Sequence, residues 1–343
     1  MTIDAMPSGA VHAMDAASDE AGLRAAMEQA RLALIDELAA QTPAPDLAAG
    51  WSTVLRHGVA AAVRLASGTG EPQWSWFVSG SAARGEAAPG SDVETMIVVA
   101  DTVSDAQKAA LLTGAADVHA LLERCGIQGD GNGVLASRPR FCRRASSWLD
   151  GIEHWAAEPR ADRGVVMTGL MADAVEVGPG TGDLLRHRAV DAARRHYPVR
   201  QAMLDDATTM RAGFPSRLRI FSRHADTVDL KLAMVDPVVK IARWAGLSAG
   251  SAAVSTMDRL DAAGAAGILD ADDVATLHEC FLWLTRFRWR LRAGPWLRGA
   301  PVGDVVGLAE IAPHERAVLR DVHREVVGVS RKLTFLASTS AFR

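Results

Sequence analysis

Apolar residues recur at three- and four-residue intervals along much of the chain, and the breaks in that rhythm divide it. Leu23, Met27, Ala30, Leu34 and Leu38 share one side of a helix predicted over 20–40. Gln41-Thr-Pro-Ala-Pro45 interrupts the pattern, and a second helix follows over 48–65, ending at Gly68 and Gly70. Residues 1–18 are rich in Ala, Ser, Gly and Asp with little periodicity and read as a mobile tail. After Gln73 the apolar residues become continuous: Trp74, Trp76, Phe77 and Val78 make a short buried strand that ends in the small-residue turn Ser79-Gly80-Ser81. A loop marked by Pro89-Gly90 leads to a second strand over 93–99, then a long helix over 104–125 and the loop Gly129-Asp-Gly-Asn-Gly133. A helix is expected over 146–157. The run 165–177 is the third strand candidate, although an unbroken apolar run fits a helix equally well. Gly178-Pro-Gly-Thr-Gly182 closes this section.

Beyond Asp183 only helices are predicted. Asp236-Pro237 reads as a cap with proline at the first helical position, and Gly246 as the end of that helix. Asp270 and Asp273 open a long helix with Val274, Leu277, Phe281, Leu284, Phe287 and Leu291 along one side, stopped by Gly294-Pro295. Pro313 starts the last, lined by Val318, Val322, Val326, Val329 and Leu333. The expected fold is α+β, divided into a tail (1–18), a helical segment (19–70), a small mixed-sheet domain (71–182) and a C-terminal helical bundle (183–337).

Composition narrows the function classes. The 343 residues are 49% hydrophobic and 23% charged, the balance of a folded globular chain. A net charge of −4 supplies no global basic field, so no nucleic-acid partner is expected. The first twenty residues lack Lys and Arg, and no stretch is apolar enough to span a bilayer, so the expected location is cytoplasmic, with no membrane partner. Cys125, Cys142 and Cys280 are far apart and read as reduced structural thiols. Only four basic residues are lysines: Lys108, Lys231, Lys240 and Lys332.

The chemistry concentrates in Phe77-Val-Ser-Gly-Ser-Ala-Ala-Arg-Gly-Glu-Ala-Ala-Pro-Gly-Ser-Asp-Val-Glu94. A strand ends at Ser79, Gly80 allows a tight turn, and Ser81 with the following amides begins a short helix near Arg84. Amides, a hydroxyl and a guanidinium together suit a phosphate chain. Ten residues on, Asp92 and Glu94 stand two apart on a strand, which puts both carboxylates on one face. Hard oxygen ligands of that kind suit magnesium bridged to a triphosphate.

These residues resemble the nucleotidyltransferase superfamily, with its hG[GS] turn followed by hDx[DE]h. The closer likeness is to the bacterial DUF294 group, related to the nucleotidyltransferase domain of the PII-protein uridylyltransferase. Gly131-Asn-Gly-Val-Leu-Ala-Ser-Arg-Pro-Arg-Phe141 resembles that group's G-G-V-M-A-x-x-P-x-W loop. Met171-Ala-Asp-Ala-Val-Glu-Val177 is similar to the strand bearing its third carboxylate, and Asp229-Leu-Lys231 to the start of its substrate-binding helical domain. The chain departs from the group in having Glu94 where Asp is usual, Val175 where Arg is usual, and Leu232-Ala-Met234 where glycines are common. The resemblance implies a polymerase-beta-like core. In it Gly80, Ser81 and Arg84 would contact the nucleotide, and Asp92, Glu94 and Asp173 would be the catalytic carboxylates holding magnesium, two ions in all. Lys231 would neutralise phosphate charge. The implied reaction moves a nucleoside monophosphate from an NTP, ATP or UTP, to a hydroxyl of a protein or small molecule. The alternative is a nucleotide-binding regulatory or scaffold protein of the same fold. A third reading, a ribonuclease of the HEPN type, rests only on the spacing of Arg219 and His224, which chance alone would produce about once in a chain this rich in arginine.

Overall fold

The computed structural model describes residues 8–67, 74–178, 182–214 and 227–340. Gly68, Gly70, Gln73, residues 179–181, Arg219 and His224 lie outside the described residues, as does the start of the N-terminal tail. Two compact units form, one from Met1–His154 with Met167–Ala189 and one from Trp155–Val166 with Val190–Arg343.

The first unit begins with three helices, α1 (Ser8–Ala16), α2 (Glu20–Ala39) and α3 (Ala44–Ser67). Helix α1 takes up residues 8–16 of the expected tail. Ala10 and Met14 bury their side chains, and Arg64 of α3 donates to the carbonyls of Met14 (3.1 Å) and Ala17 (2.6 Å). Tertiary contact therefore orders a segment whose own periodicity is weak. Strand β1 (Trp74–Ser79) runs into the one-turn helix α4 (Gly80–Arg84), and β2 (Glu94–Val99) is followed by α5 (Asp105–Arg124), which a reciprocal Ser104–Gln107 capping box starts. Then come β3 (Cys142–Arg144), α6 (Ala145–Ala157), α7 (Gly164–Ala172), β4 (Val175–Val177) and α8 (Leu184–Arg195).

The run 165–177 is thus mostly helix, with only its last three residues in a strand. Met167, Leu170, Met171 and Ala172 are buried while Val166 is exposed, and the unbroken apolar run offers no alternation to mark its period. Helix α8 begins in the first unit, where the buried Arg186 donates to the Ala174 carbonyl (2.9 Å), so this unit reaches Ala189.

The sheet order is β3-β2-β1-β4, with β1 antiparallel to both neighbours and β2 parallel to β3. Trp76, Phe77, Val78, Met96, Ile97, Val98 and Val99 are all buried, which explains the continuous apolar runs: both faces of the central strands are covered. Trp148 on α6 donates its Nε1 to the Ile97 carbonyl (2.9 Å). The register sets Ser79 opposite Glu94 and Val78 opposite Val175. One end of the sheet therefore collects the β1–α4 turn, the start of β2 and the α7–β4 joint, three segments spread over about a hundred residues.

The second unit contains α9 (Tyr197–Thr208), β5 (Thr227–Asp229), a π-helical turn (Lys231–Val235), α10 (Asp236–Ser248), α11 (Thr256–Ala265), α12 (Ala271–Leu297), β6 (Val305–Gly307), a 3-10 turn (Leu308–Glu310) and α13 (Pro313–Ser340). Its core brings together Leu204, Val238, Ile241, Leu277, Leu284, Leu319 and Val326. Four expectations change here. The unit is not purely helical, because β5 and β6 pair antiparallel, each only three residues long. Asp236 is not a cap: the π turn runs directly into α10, and Pro237 sits where the two hydrogen-bond registers meet. Gly246 does not end α10; a Cβ there would lie 2.9 Å from the stem of buried Arg259, so its bareness is a packing requirement. Helix α12 carries Pro295 inside its last turn and continues past it to Leu297. No helix among the described residues is long and apolar enough to cross a membrane.

Candidate active site

At the collecting end of the sheet, β1 turns into α4 at Gly80, whose φ of +66° is a left-handed conformation that favours glycine. A Cβ on Gly80 would lie 2.7 Å from Oε2 of Glu94, so the Glu94 carboxylate rests against the bare backbone of the turn. Ser79 does not cap α4; its buried hydroxyl donates to the Leu170 carbonyl (3.0 Å) and pins α7 to the end of β1. Gly80→Ala is expected to cost about 1–2 kcal/mol through the forced left-handed residue. An unchanged urea midpoint would contradict that assignment.

Arg84 closes α4. Gly85 (φ +75°) reverses the chain, and the Glu86 amide bonds back to the Ser81 carbonyl (2.9 Å). The turn aims Glu86 at its near neighbour: Arg84 Nε donates to Glu86 Oε2 at 2.6 Å, while Nη1 donates to Asp173 Oδ2 at 2.5 Å. The three side chains are 10%, 10% and 1% exposed, for Arg84, Glu86 and Asp173 in turn. Burial by itself disfavours the Arg84 cation, but Glu86 and Asp173 outweigh it and raise its pKa above the ordinary arginine value.

Glu94 is the site's uncompensated acid. Its carboxylate has no hydrogen-bond or ion-pair partner among the described residues. Burial, opposed by Arg84 and reinforced by Asp173, Asp130 and Asp92, pushes its pKa up from 4.5 to about 7. The folded protein therefore binds this proton more tightly than the unfolded chain, and stability declines as pH rises from about 4.5 through 7. Glu94→Gln is expected to be more stable than the parent at pH 8 by up to about 3 kcal/mol, with the gain almost gone at pH 4.5. Equal urea midpoints at pH 8 would refute this.

Asp92 precedes the ladder rather than standing on it; the next residue, Val93, makes a single bridge to Gly129. It still lies close enough to raise Glu94's pKa. Asp130 is a further acid that reading the chain passed over. It is buried in the glycine-rich loop, where its oxygens accept from Val134 N (2.7 Å) and Asn132 Nδ2 (3.1 Å). The signal was there, an acid between glycines, but it takes the bonds from Val93 N to Gln128 O (2.9 Å), Asp130 N to Val93 O (3.1 Å) and Thr95 N to Val134 O (3.0 Å) to lay the loop alongside the start of β2. Lys231 belongs to the second unit, exposed at the start of the π turn, with Asp229 Oδ1 accepting from Leu232 N (2.9 Å). Burial alone would raise the pKa of Asp304, but Arg288, Arg292 and Lys231 hold it below the usual value.

The donor set fits a divalent cation in one particular way. Among the described residues no group of three or more His, Cys, Asp or Glu is arranged to hold a metal ion by itself. Glu94, partnerless and crowded by like charge, with Asp92 beside it, offers hard oxygens of the kind magnesium takes alongside substrate phosphates. Asp173 is already committed to Arg84.

Residues 29–162 match the family model described as "Putative nucleotidyltransferase DUF294", and residues 198–335 match the one described as "Putative nucleotidyltransferase substrate binding domain". The chain belongs to the DUF294 nucleotidyltransferase family. Within the DUF294 match lie Gly80, Ser81, Arg84, Asp92 and Glu94, and within the substrate-binding match lies Lys231. Asp173 falls between the two matched stretches; β4 pairing with β1 is what brings it to the DUF294 site. No curated protein matches the chain.

Proposed function

We propose that this DUF294 protein transfers a nucleoside monophosphate from ATP or UTP to a hydroxyl of a protein or small molecule and releases pyrophosphate, with magnesium held by Asp92 and Glu94. The observation that supports it most is the partnerless Glu94 carboxylate against the bare Gly80 turn, the place where a triphosphate can approach backbone. Magnesium, when bound, supplies neutralisation of the triphosphate and of the oxygens entering and leaving phosphorus. The chain's own share is positioning. Gly80 and Ser81 line the phosphates, Asp173 orients the acceptor hydroxyl, and the hydroxyl attacks the α-phosphorus in line as pyrophosphate departs. The second unit carries the acceptor.

The test is transfer of label from α-labelled ATP and UTP to acceptors in a lysate supplied with magnesium. Label transfer that persists unchanged in an Asp92→Ala, Glu94→Ala protein overturns the reading. The hold of Arg84 on Asp173 favours a second reading, a nucleotide-binding regulator without turnover. Calorimetric binding of nucleotide with no pyrophosphate release selects that alternative.

A further inference from the structure

We propose that Arg138 binds the terminal phosphates of the nucleoside triphosphate. The inference rests on the transferase reading above and adds a residue that the strand-turn-acid motif does not include. Backbone register brings it to the site. Val93 N bonds to Gln128 O (2.9 Å) and Thr95 N to Val134 O (3.0 Å). These two rungs bracket Glu94, so the loop between them leaves and rejoins the edge of β2 at the level of that acid. Its tip, Gly131 and Asn132, is exposed. Past the tip, the Thr95 hydroxyl accepts from Ala136 N (2.9 Å) and Ile97 N donates to Phe141 O (2.8 Å). The backbone is therefore tied to β2 on both sides of Arg138. Within those ties Arg138 N donates to Leu135 O and Phe141 N to Arg138 O, both at 2.9 Å, which sets the residue in a turn.

From that turn the side chain folds back onto the loop. A Cβ on Gly133 would collide with the Arg138 guanidinium, 2.5 Å from Cζ and 2.8 Å from Nη2, so the guanidinium fills the space that this glycine leaves open. A surface arginine ordinarily ranges over many rotamers, and a ligand that fixes it must overcome that entropy. Contact with the bare Gly133 backbone restricts the range before any ligand arrives. The side chain is nonetheless exposed, and among the described residues its guanidinium makes no hydrogen bond or ion pair. A planar fork of N–H donors is thus open to phosphate oxygens. Position selects which phosphates. The charges that act most on Glu94 are Arg84, Asp173, Asp130 and Asp92; Arg138 is not among them and stands at the rim. A triphosphate whose α-phosphorus lies at Asp92 and Glu94 extends outward from them, and its β- and γ-phosphates are what reach a cation there. Negative charge grows on those phosphates as pyrophosphate leaves, which is where a fixed guanidinium serves the reaction best.

The experiment measures, by calorimetry with magnesium, the affinity of the parent, Arg138→Ala and Arg138→Lys for the α,β-methylene analogues of ATP and UTP and for AMP and UMP. Arg138→Ala is expected to bind the triphosphate analogues about 10–100-fold more weakly, with the monophosphates within about twofold of the parent. Arg138→Lys, which keeps the charge without the fork, is expected to fall between. Triphosphate-analogue affinity within twofold of the parent in Arg138→Ala overturns the proposal. So does an equal loss for triphosphate and monophosphate, which makes Arg138 a prop for the loop. A parent that binds none of the four nucleotides removes the transferase reading and this proposal together, a result distinct from the other two. If Arg138→Ala is less stable than the parent in urea, Arg138→Gln, which keeps a stem over Gly133, carries the same comparison.

Discussion

Arg84→Met is expected to destabilise the first unit by about 3–5 kcal/mol, because it removes the guanidinium that donates to both the Glu86 and the Asp173 carboxylates in a buried site. Asp173 is 1% exposed and Glu86 10% exposed, so neither can turn to water without opening the α4 turn or the α7–β4 joint. The methionine fills much of the arginine's volume, so the loss isolates charge rather than packing. The pair itself need not be a large net source of stability, since burying charges costs much of what their attraction returns. A companion variant sharpens the point. Arg84→Met combined with Glu86→Gln and Asp173→Asn removes the two carboxylate charges as well, and most of the lost stability is expected to return. Urea unfolding at pH 7 measures both. A single-variant loss under about 1 kcal/mol would mean the carboxylates are solvated and the burial argument fails.

Asp92→Ala with Glu94→Ala is expected to lower label transfer by about a thousandfold or more, equivalent to about 4 kcal/mol of barrier. Both acids are the hard-oxygen donors proposed to carry magnesium, and of their neighbours Asp173 is bonded to Arg84 and Asp130 to the Val134 amide. The accompanying stability change separates chemistry from unfolding. Removing the uncompensated Glu94 charge should leave the protein no less stable at pH 8, while activity falls. Loss of activity together with a lower urea midpoint would point to a damaged fold, and activity retained within tenfold would remove these acids from the reaction.

Much of the fold was legible because it repeats a local rule. The α2 stripe from Leu23 to Leu34 is buried, and the expected β1 and β2 strands form within a residue of their predicted ends. Capping residues placed α5 and α12, where Ser104 and Asp270 do accept from the amides of Gln107 and Asp273. Errors fell where neighbours rather than the local pattern decide. Helix α1 forms because Arg64 and the flanking helices receive it, 165–172 is an unbroken apolar run that shows no period, and strands of three residues such as β5 and β6 are too short to alternate visibly.

The same division runs through the site. Turn chemistry and spacing by themselves determined that Gly80 would sit at a strand-to-helix turn and that Asp92 and Glu94 would stand together just beyond it. The first follows from the left-handed backbone that glycine permits, and the second from the two-residue spacing of the acids at the start of a strand. What only the tertiary structure decided is who partners whom. Pairing of β1 with β4 carries Asp173 to Arg84 across 89 positions. Arg84 is thereby placed in an ion pair with Glu86 and Asp173, the loop around Asp130 is brought beside Glu94, and Glu94 is left as the acid without a partner among the described residues. Electrostatic roles depend on distance and burial in space, and the chain order of the same residues does not contain either quantity.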